Sequence, residues 1–244
     1  MSSGKKRLDV ALAQRGLVST RSQAESYIKL GKVKVNGKIL NKSSILVSED
    51  DALEVRGEEQ YVGRAALKLA SVADKFKLDF KDKTVLDVGS STGGFTDYAL
   101  KRGAAKVIAV DVGTDQLHPS LRADSRVELH EKTDIRNFVT DEKIDLALID
   151  VSFISLRLVL PAAAKLAGKD TQIAAMLKPQ FEADAKDINK GVIKNDSVRR
   201  RILKDFEDWV KRYFIIKNKA DSEVAGAKGN RERFYLLDKR SVDF

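Results

Sequence analysis

The feature that most constrains the fold is an apolar strand that runs directly into a glycine-rich turn and then into a helix. The strand spans Thr84–Val88, the turn begins at Gly89 and contains Gly93 and Gly94, and the helix begins near Phe95. Glycines in such a turn let a ligand approach the backbone, and the free N–H groups at a helix start attract it. The segment therefore predicts a βα unit with a ligand site at the carboxyl end of its strand.

The rest of the chain from Tyr61 onward continues this pattern, because apolar strands alternate with amphipathic helices. Such alternation predicts a parallel sheet covered by helices on both faces, which is an α/β, doubly wound fold. Seven strands are predicted, at 84–88, 106–110, 127–130, 144–150, 171–177, 214–219 and 231–237. The predicted helices cover 65–76, 95–102, 156–166 and 197–210.

The positive charge of the chain is concentrated at its beginning. Of the net charge of +9, residues 1–48 contribute +8, with ten Lys and Arg residues against two acids, Asp9 and Glu25. Positive charge gathered on a small folded segment is typical of nucleic-acid binding, since neutralising phosphates releases counterions. A basic face that is merely solvated is the alternative interpretation.

This basic segment has the pattern of two helices and a hairpin. Apolar spacing predicts a first helix within 8–17, and Thr20 with Gln23 forms a capping-box pattern for a second helix that ends near Gly31. The pair Asn36-Gly37 is a strong hairpin signal, and 52–55 resembles a strand. A polar linker at 57–60 then predicts two domains, 1–58 and 59–244. The candidate RNA-binding side chains are Arg7, Arg15, Arg21, Lys29, Lys32, Lys34 and, beyond the linker, Arg64.

Composition excludes several kinds of chemistry. The chain has no Cys and two His residues, so disulfides, thiolate nucleophiles and Cys-ligated zinc are excluded and no metal site is expected. No apolar run is long enough for a signal peptide or a membrane span, so we expect a cytoplasmic protein without a membrane partner. Chemistry must then come from Lys, Asp, Glu, Ser or a cofactor.

The glycine-rich turn favours a cationic ligand. An acid, Asp87, lies inside the end of the strand, and the G-x-G-x-x-G spacing of a dinucleotide site is missing. Asp111 and Asp134 follow the next two strands and are candidates for the ribose hydroxyls and the adenine amine of a nucleoside. A nicotinamide site and a plain structural turn are the alternatives. The candidate cofactor-binding residues are Asp87, Gly89, Ser90, Gly93, Gly94, Phe95, Asp111 and Asp134.

Four charged residues have contexts that suggest catalysis. Asp150 and Lys178 each follow an apolar strand, at the edge where such sheets bind ligands. Glu232 reaches the same edge if the last strand runs antiparallel, and Lys68 belongs to the helix predicted at 65–76. A lysine near a second lysine has a lowered pKa and can act as a base, while the other ammonium stabilises a developing alkoxide. The two acids would orient the two lysines.

These residues carry a resemblance to known families. The D-x-G-x-x-x-G-G pattern at 87–94 resembles motif I of Rossmann-like methyltransferases. Lys68, Asp150, Lys178 and Glu232 match the Lys-Asp-Lys-Glu tetrad of FtsJ-like RNA 2′-O-methyltransferases in order and context. Residues 63–69, 150–156, 177–182 and 229–232 resemble the TlyA family, historically called haemolysins, and residues 8–55 resemble the S4-like RNA-binding domain of the α-L type. The resemblance covers nearly the whole chain.

The resemblance implies an architecture and an activity. The architecture is a seven-stranded, Rossmann-like methyltransferase sheet preceded by a small α+β RNA-binding domain. The activity is S-adenosylmethionine-dependent methylation of cytidine 2′-hydroxyls in ribosomal RNA, with the RNA or a ribosomal subunit as partner. The alternatives are a non-enzymatic RNA-binding or ribosome-assembly protein, a membrane-active haemolysin and a nicotinamide-dependent oxidoreductase. The sequence assigns no oligomeric state.

Overall fold

The computed structural model describes residues 4–18, 20–55, 61–226 and 229–240. The predicted boundary between residues 58 and 59 lies outside these residues. We refer to 4–55 as the N-terminal region and to 61–240 as the C-terminal region. The elements of the N-terminal region are β1 (Lys6–Arg7), α1 (Leu8–Gln14), α2 (Arg21–Lys29), β2 (Val33–Val35), β3 (Lys38–Ile39), β4 (Leu46–Val47) and β5 (Leu53–Val55).

Local sequence signals explain most of the N-terminal region. The Thr20 hydroxyl accepts a hydrogen bond from the Gln23 N–H at 3.1 Å and so caps α2. Asn36 and Gly37 have φ values of 50° and 78°, as a type I′ turn between β2 and β3 requires. Strand β2 also pairs with β5, and β1 pairs with β4. The sequence did not predict the β1–β4 pair, because two-residue strands carry no periodic pattern.

The C-terminal region alternates strands and helices as predicted. Its elements are α3 (Arg64–Phe76), β6 (Thr84–Val88), α4 (Gly94–Lys101), β7 (Lys106–Val110), α5 (Pro119–Arg122), β8 (Val127–His130), β9 (Ile144–Ile149), α6 (Leu156–Leu166), β10 (Ala167–Leu177), α7 (Asp196–Val210), β11 (Phe214–Asp221) and β12 (Arg233–Lys239). The short helix α5 was not predicted. Strand β10 begins at 167 instead of 171, because Ala167 pairs with Ile144 ahead of a bulge whose polar residues hide the strand pattern.

The seven strands form one sheet in the order β11-β12-β10-β9-β6-β7-β8. Strands β8, β7, β6, β9 and β10 are mutually parallel, whereas β12 runs antiparallel to both β10 and β11. The prediction of an α/β fold with a seven-stranded sheet is confirmed. Because β12 is antiparallel and Leu177 pairs with Arg233, the start of β12 lies at the edge where β10 ends.

Helices cover both faces of this sheet. Alternate residues of each strand point to opposite sides, so Val85 of β6 joins one apolar cluster and its neighbour Leu86 joins the other. Helices α3 and α4 pack in the first cluster, and α6 and α7 pack in the second. The first cluster continues into the N-terminal region through Leu8, Leu12 and Val33. Across the described ranges, the chain contains no helix with the length and apolar character needed to span a membrane.

Candidate active site

The glycine-rich turn after β6 lies directly against the segment that follows β9. Gly89 has a φ of 84°, which residues with a side chain rarely adopt. A Cβ atom on Gly89 would lie 2.7 Å from the backbone carbonyl oxygen of Asp150. Glycine is therefore required at this position, because only a residue without a side chain lets the turn contact the segment that begins with Asp150.

Three further residues predicted for the cofactor site, Gly93, Gly94 and Phe95, pack against other parts of the protein. A Cβ atom on Gly93 would overlap the side chain of Leu121, and one on Gly94 would lie 2.8 Å from the Cβ of Ala65. Phe95 is buried, and its ring centroid lies 6.1 Å from that of Phe234. The close packing at Gly94 brings the start of α4 next to α3, and the close packing at Gly93 brings the turn next to α5.

A cavity of about 390 Å³ opens beside the turn, at the carboxyl ends of β6, β7 and β9. The Asp111 carboxylate in its wall accepts hydrogen bonds from the backbone N–H groups of Ser91 at 2.8 Å and Gly113 at 2.7 Å. Each carboxylate oxygen keeps lone-pair capacity for a ligand hydroxyl. The wall of the cavity includes Gly89, Asp111, Val112, Asp134, Ile135 and Asp150.

Asp134 lies at the far side of this cavity. Its carboxylate accepts a hydrogen bond from the Arg136 N–H at 2.9 Å and pairs with the Arg136 guanidinium at 2.6 Å. This pairing with Arg136 lowers the pKa of Asp134, so the group is ionised at neutral pH. Ile135 and the exposed Val112 provide apolar surface nearby. A carboxylate at the edge of an apolar wall suits a purine ring with an exocyclic amine.

Two buried polar atoms at the glycine-rich turn, one from Asp87 and one from Ser90, have no hydrogen-bond partner among the described residues. Asp87 is fully buried, and its Oδ2 accepts a hydrogen bond from the Thr96 hydroxyl at 2.6 Å. Its Oδ1 and the Ser90 hydroxyl have no hydrogen-bond partner among the described residues. Burial raises the pKa of Asp87 to about 7, and the neighbouring Asp150 and Asp111 carboxylates add to the rise. The Asp111, Asp134 and Asp150 carboxylates line the cavity, and its acidic character fits the sulfonium and amino groups of S-adenosylmethionine.

The four predicted catalytic residues form two ion pairs. Lys68 Nζ lies 2.6 Å from Glu232 Oε2, and Lys178 Nζ lies 2.6 Å from Asp150 Oδ1. All four side chains are 12% exposed or less. Charges so far from water need a partner of opposite sign, and each lysine has one carboxylate in this role. The pairs join α3 to the start of β12 and the end of β10 to the end of β9.

The loops that follow β9 and β10 run side by side next to these ion pairs. The Lys178 ammonium donates a hydrogen bond to the Ser152 hydroxyl at 2.7 Å. Phe153 lies 5.1 Å, centroid to centroid, from Phe181. Phe153 is 91% exposed, has a φ of 65° and belongs to the cavity wall. An exposed aromatic ring in an unfavourable backbone conformation, near the predicted catalytic Lys178, can serve as a stacking surface for a base.

Glu182 connects the loop that follows β10 to the loop that follows β9 through hydrogen bonds. Its carboxylate accepts hydrogen bonds from the Ser155 hydroxyl at 2.6 Å and the Leu156 N–H at 2.7 Å, at the start of α6. Burial raises the pKa of Glu182. Sequence reasoning did not select Ser152, Phe153 or Glu182 as site residues. Their sequence signals are their place near a strand's carboxyl end, which many loop residues share, and their position within the segments 150–156 and 177–182 that carry the family resemblance.

The arginines predicted to bind RNA have contacts within the protein. Arg7 and Arg21 both pair with the buried carboxylate of Asp9, at 2.9 and 2.7 Å. Arg15 donates hydrogen bonds to backbone carbonyl oxygens at 48, 49 and 51. Arg64 donates to the carbonyl oxygen of Ala225 at 2.8 Å, in the segment that leads to Glu232. Each of these guanidinium groups therefore has a structural contact within the protein.

The predicted lysines are placed differently. Lys29 is exposed at the end of α2, and Lys34 is half-buried on β2. Lys32 lies between them in sequence, with its Nζ 5.8 Å from the centroid of the Tyr27 ring. None of the three forms an ion pair with another residue of the described ranges. Their charges remain available to a polyanion.

The sheet order, the antiparallel seventh strand and the acidic cavity beside a glycine-rich turn define a Rossmann-like, S-adenosylmethionine-dependent methyltransferase. Residues 61–239 match the FtsJ-like methyltransferase family, and residues 6–53 match the S4 domain. The chain belongs to the TlyA family of FtsJ-like methyltransferases.

Three relatives illustrate this membership. The 23S rRNA (cytidine-2′-O)-methyltransferase TlyA of Campylobacter jejuni is 42% identical over 82% of this chain and 79% of its own length. The 16S/23S rRNA (cytidine-2′-O)-methyltransferase TlyA of Mycobacterium tuberculosis is 40% identical over 78% of this chain and 73% of its own. The solved structure of a hemolysin-named protein from Streptococcus thermophilus is 37% identical with a TM-score of 0.72, and the match covers 99% of this chain and 91% of that one.

Proposed function

We propose that this protein transfers a methyl group from S-adenosylmethionine to the 2′-hydroxyl of cytidine in ribosomal RNA. The observation that carries the proposal is the pair of Lys178 with Asp150, which lines the cavity, together with the pair of Lys68 with Glu232 at the same edge of the sheet. The relatives at 40–42% identity are named as enzymes of this reaction. The Asp87, Asp111 and Asp134 carboxylates are proposed to hold the cofactor, with Gly89 providing the close approach.

In the proposed mechanism the two lysines have different roles. Bound S-adenosylmethionine supplies a methyl group activated by its sulfonium charge. Lys178 accepts the proton of the 2′-hydroxyl at Nζ, because the hydroxyl is a poor nucleophile while it keeps that proton. The Lys68 ammonium stabilises the negative charge that develops on the attacking oxygen. Asp150 and Glu232, each 2.6 Å from a lysine Nζ, hold the two side chains in place.

The proposal assigns RNA recognition to the N-terminal part of the chain. Residues 1–58, including the linker, form the RNA-binding domain, and residues 59–244 form the methyltransferase domain. Lys29, Lys32 and Lys34 supply phosphate contacts, and Arg7, Arg15, Arg21 and Arg64 complete the predicted set. The proposed substrate is ribosomal RNA, free or within a ribosomal subunit, and the proposed location is the cytoplasm.

The experiment is transfer of labelled methyl groups from S-adenosylmethionine to isolated, unmodified ribosomal subunits. Methylation of a 2′-hydroxyl makes the adjoining linkage resistant to alkali, so alkaline cleavage of the product RNA locates the modified nucleotide. Lys178→Ala should lower kcat by roughly 10²- to 10⁴-fold, the usual contribution of a general base. Cofactor binding measured by calorimetry should persist in this variant.

Lys204→Ala is the matched control, because Lys204 is an exposed lysine on α7. It should retain wild-type kcat. A label found on a base, or turnover retained by Lys178→Ala, would contradict the proposal. Transfer to purified RNA but not to subunits would reject the subunit as the substrate while leaving the chemistry intact.

A further inference from the structure

We infer that Ser152 is a positioning residue that sets the direction of the lone pair on Lys178 Nζ. The inference rests on the proposed function and adds a residue outside the Lys-Asp-Lys-Glu set. Ser152 lies two residues after Asp150 and belongs to the wall of the same cavity. Its Oγ accepts a hydrogen bond from Lys178 Nζ at 2.7 Å.

Two oxygen atoms therefore surround the amine at short range. Asp150 Oδ1 lies 2.6 Å from Nζ, and Ser152 Oγ lies 2.7 Å from it. A neutral primary amine carries two N–H bonds and one lone pair in a tetrahedral arrangement. Ser152 Oγ accepts one N–H bond of the amine, whereas Asp150 Oδ1 has no hydrogen bond of suitable geometry and acts on the amine through its charge. With one N–H bond fixed on Ser152 and the other drawn towards the Asp150 carboxylate, the lone pair points away from both oxygens.

That direction matters because Lys178 is the proposed base. The hydroxyl proton moves to Nζ, and the electron pair of the broken O–H bond forms the new bond from oxygen to the methyl carbon. The bond between that carbon and sulfur breaks, and its electrons remain on sulfur. Proton transfer requires the lone pair to point along the O–H bond, and a small misplacement costs up to about 100-fold in rate.

Without Ser152 the amine would have a single fixed partner. Asp150 alone leaves Nζ free to rotate about the Cε–Nζ bond, so the lone pair would sample several directions. The Ser152 side chain is exposed, so removing its hydroxyl leaves no buried cavity and should disturb packing little. A loss of rate in Ser152→Ala would then reflect the orientation of the amine.

The test compares steady-state methyl transfer to ribosomal subunits by the full-length wild type, Ser152→Ala, Ser152→Thr and Ser155→Ala. Ser152→Ala should lower kcat roughly 10- to 100-fold, with the KM values for S-adenosylmethionine and RNA changed by no more than about twofold. Ser152→Thr restores the accepting hydroxyl and should recover most of the wild-type kcat. Ser155→Ala removes a hydroxyl that contacts Glu182 and should lower thermal stability without this loss of kcat.

Three outcomes would count against the inference. It is overturned if Ser152→Ala keeps most of the wild-type kcat, or if Ser152→Thr is as slow as Ser152→Ala. A wild type that transfers no label to ribosomal RNA overturns the proposed function and the role of Ser152 with it. If the wild type is active and Ser152→Ala is equally active, the positioning role of Ser152 is rejected and the proposed function stands.

Discussion

Lys68 and Glu232 come from opposite ends of the C-terminal region and form an ion pair of 2.6 Å that is nearly closed to water. The Glu232 side chain is 2% exposed, and Gly226 leaves room for it, because a Cβ atom on Gly226 would overlap its carboxylate. A buried ion pair costs desolvation on both sides, so its presence is weak evidence for a role in stability. Its place at the edge of the sheet where β10 ends and Lys178 follows is what suggests a role in catalysis.

The first prediction separates stability from activity at this pair. Glu232→Leu should lower the free energy of unfolding by about 3 kcal/mol, because it leaves the Lys68 ammonium buried without a partner. The double variant Lys68→Met/Glu232→Leu should recover most of that stability while remaining inactive. Thermal unfolding and methyl transfer, measured on the same preparations, provide the comparison. The prediction would be wrong if the loss of unfolding free energy in the double variant equalled the sum of the losses in the two single variants.

The second prediction concerns the contact between Gly89 and Asp150. Gly89→Ala places a Cβ atom 2.7 Å from the Asp150 carbonyl oxygen in an unfavourable backbone conformation. The turn must shift, and the Kd for S-adenosylmethionine should rise roughly 10- to 100-fold, as expected for a strain of this kind. Gly168→Ala is the control, since its nearest neighbour would be the Thr171 hydroxyl at 3.6 Å. Equal affinities in the two variants, measured by calorimetry, would argue against the close approach.

The third prediction follows from the pKa of Asp87, which burial raises to about 7. The ordinary aspartate pKa is near 4, so the folded protein holds this proton more tightly than the unfolded chain does. The resulting stability is complete below about pH 4 and is lost as the pH rises through about 7. As the pH rises from about 5 to about 8, the melting temperature of the wild type should therefore fall relative to that of Asp87→Asn.

Thermal unfolding without cofactor across that pH range measures this effect. Asp141→Asn, which replaces an exposed carboxylate, is the control and should follow the wild type. If the Asp87→Asn and wild-type melting temperatures run parallel with pH, then Asp87 does not titrate differently in the folded protein.

The fourth prediction distinguishes the lysines of the N-terminal region from Arg15. Replacing Lys29, Lys32 and Lys34 by Ala should reduce the slope of log K against log salt for RNA binding by about 2 to 3, because each lysine neutralises about one phosphate. Arg15→Ala should mainly destabilise the region, because its guanidinium donates to the carbonyl oxygens of Ser48 and Asp51 at 2.7 Å. Filter binding at several salt concentrations, with thermal unfolding alongside, tests both. An unchanged slope in the triple variant would place the phosphate contacts elsewhere.

Much of the fold was readable from local sequence because periodicity and turn chemistry act over short distances. The alternation of Val85 and Leu86 between the two faces follows from the two-residue period of a strand. The cap at Thr20 and the turn at Asn36-Gly37 depend on neighbouring residues alone. The sequence also marked the cavity edge, because the carboxyl ends of parallel strands meet there.

The order of strands and helices, the glycine turn and the charged residues at strand ends are all evident in the amino-acid sequence. Which groups meet is evident only in the folded chain: Lys68 with Glu232, Lys178 with Asp150 and Ser152, and Arg15 with the backbone of its own region. Such pairings depend on the antiparallel direction of β12 and on how loops from separate strands lie together. These arrangements arise from packing of the whole chain, and no local pattern encodes them.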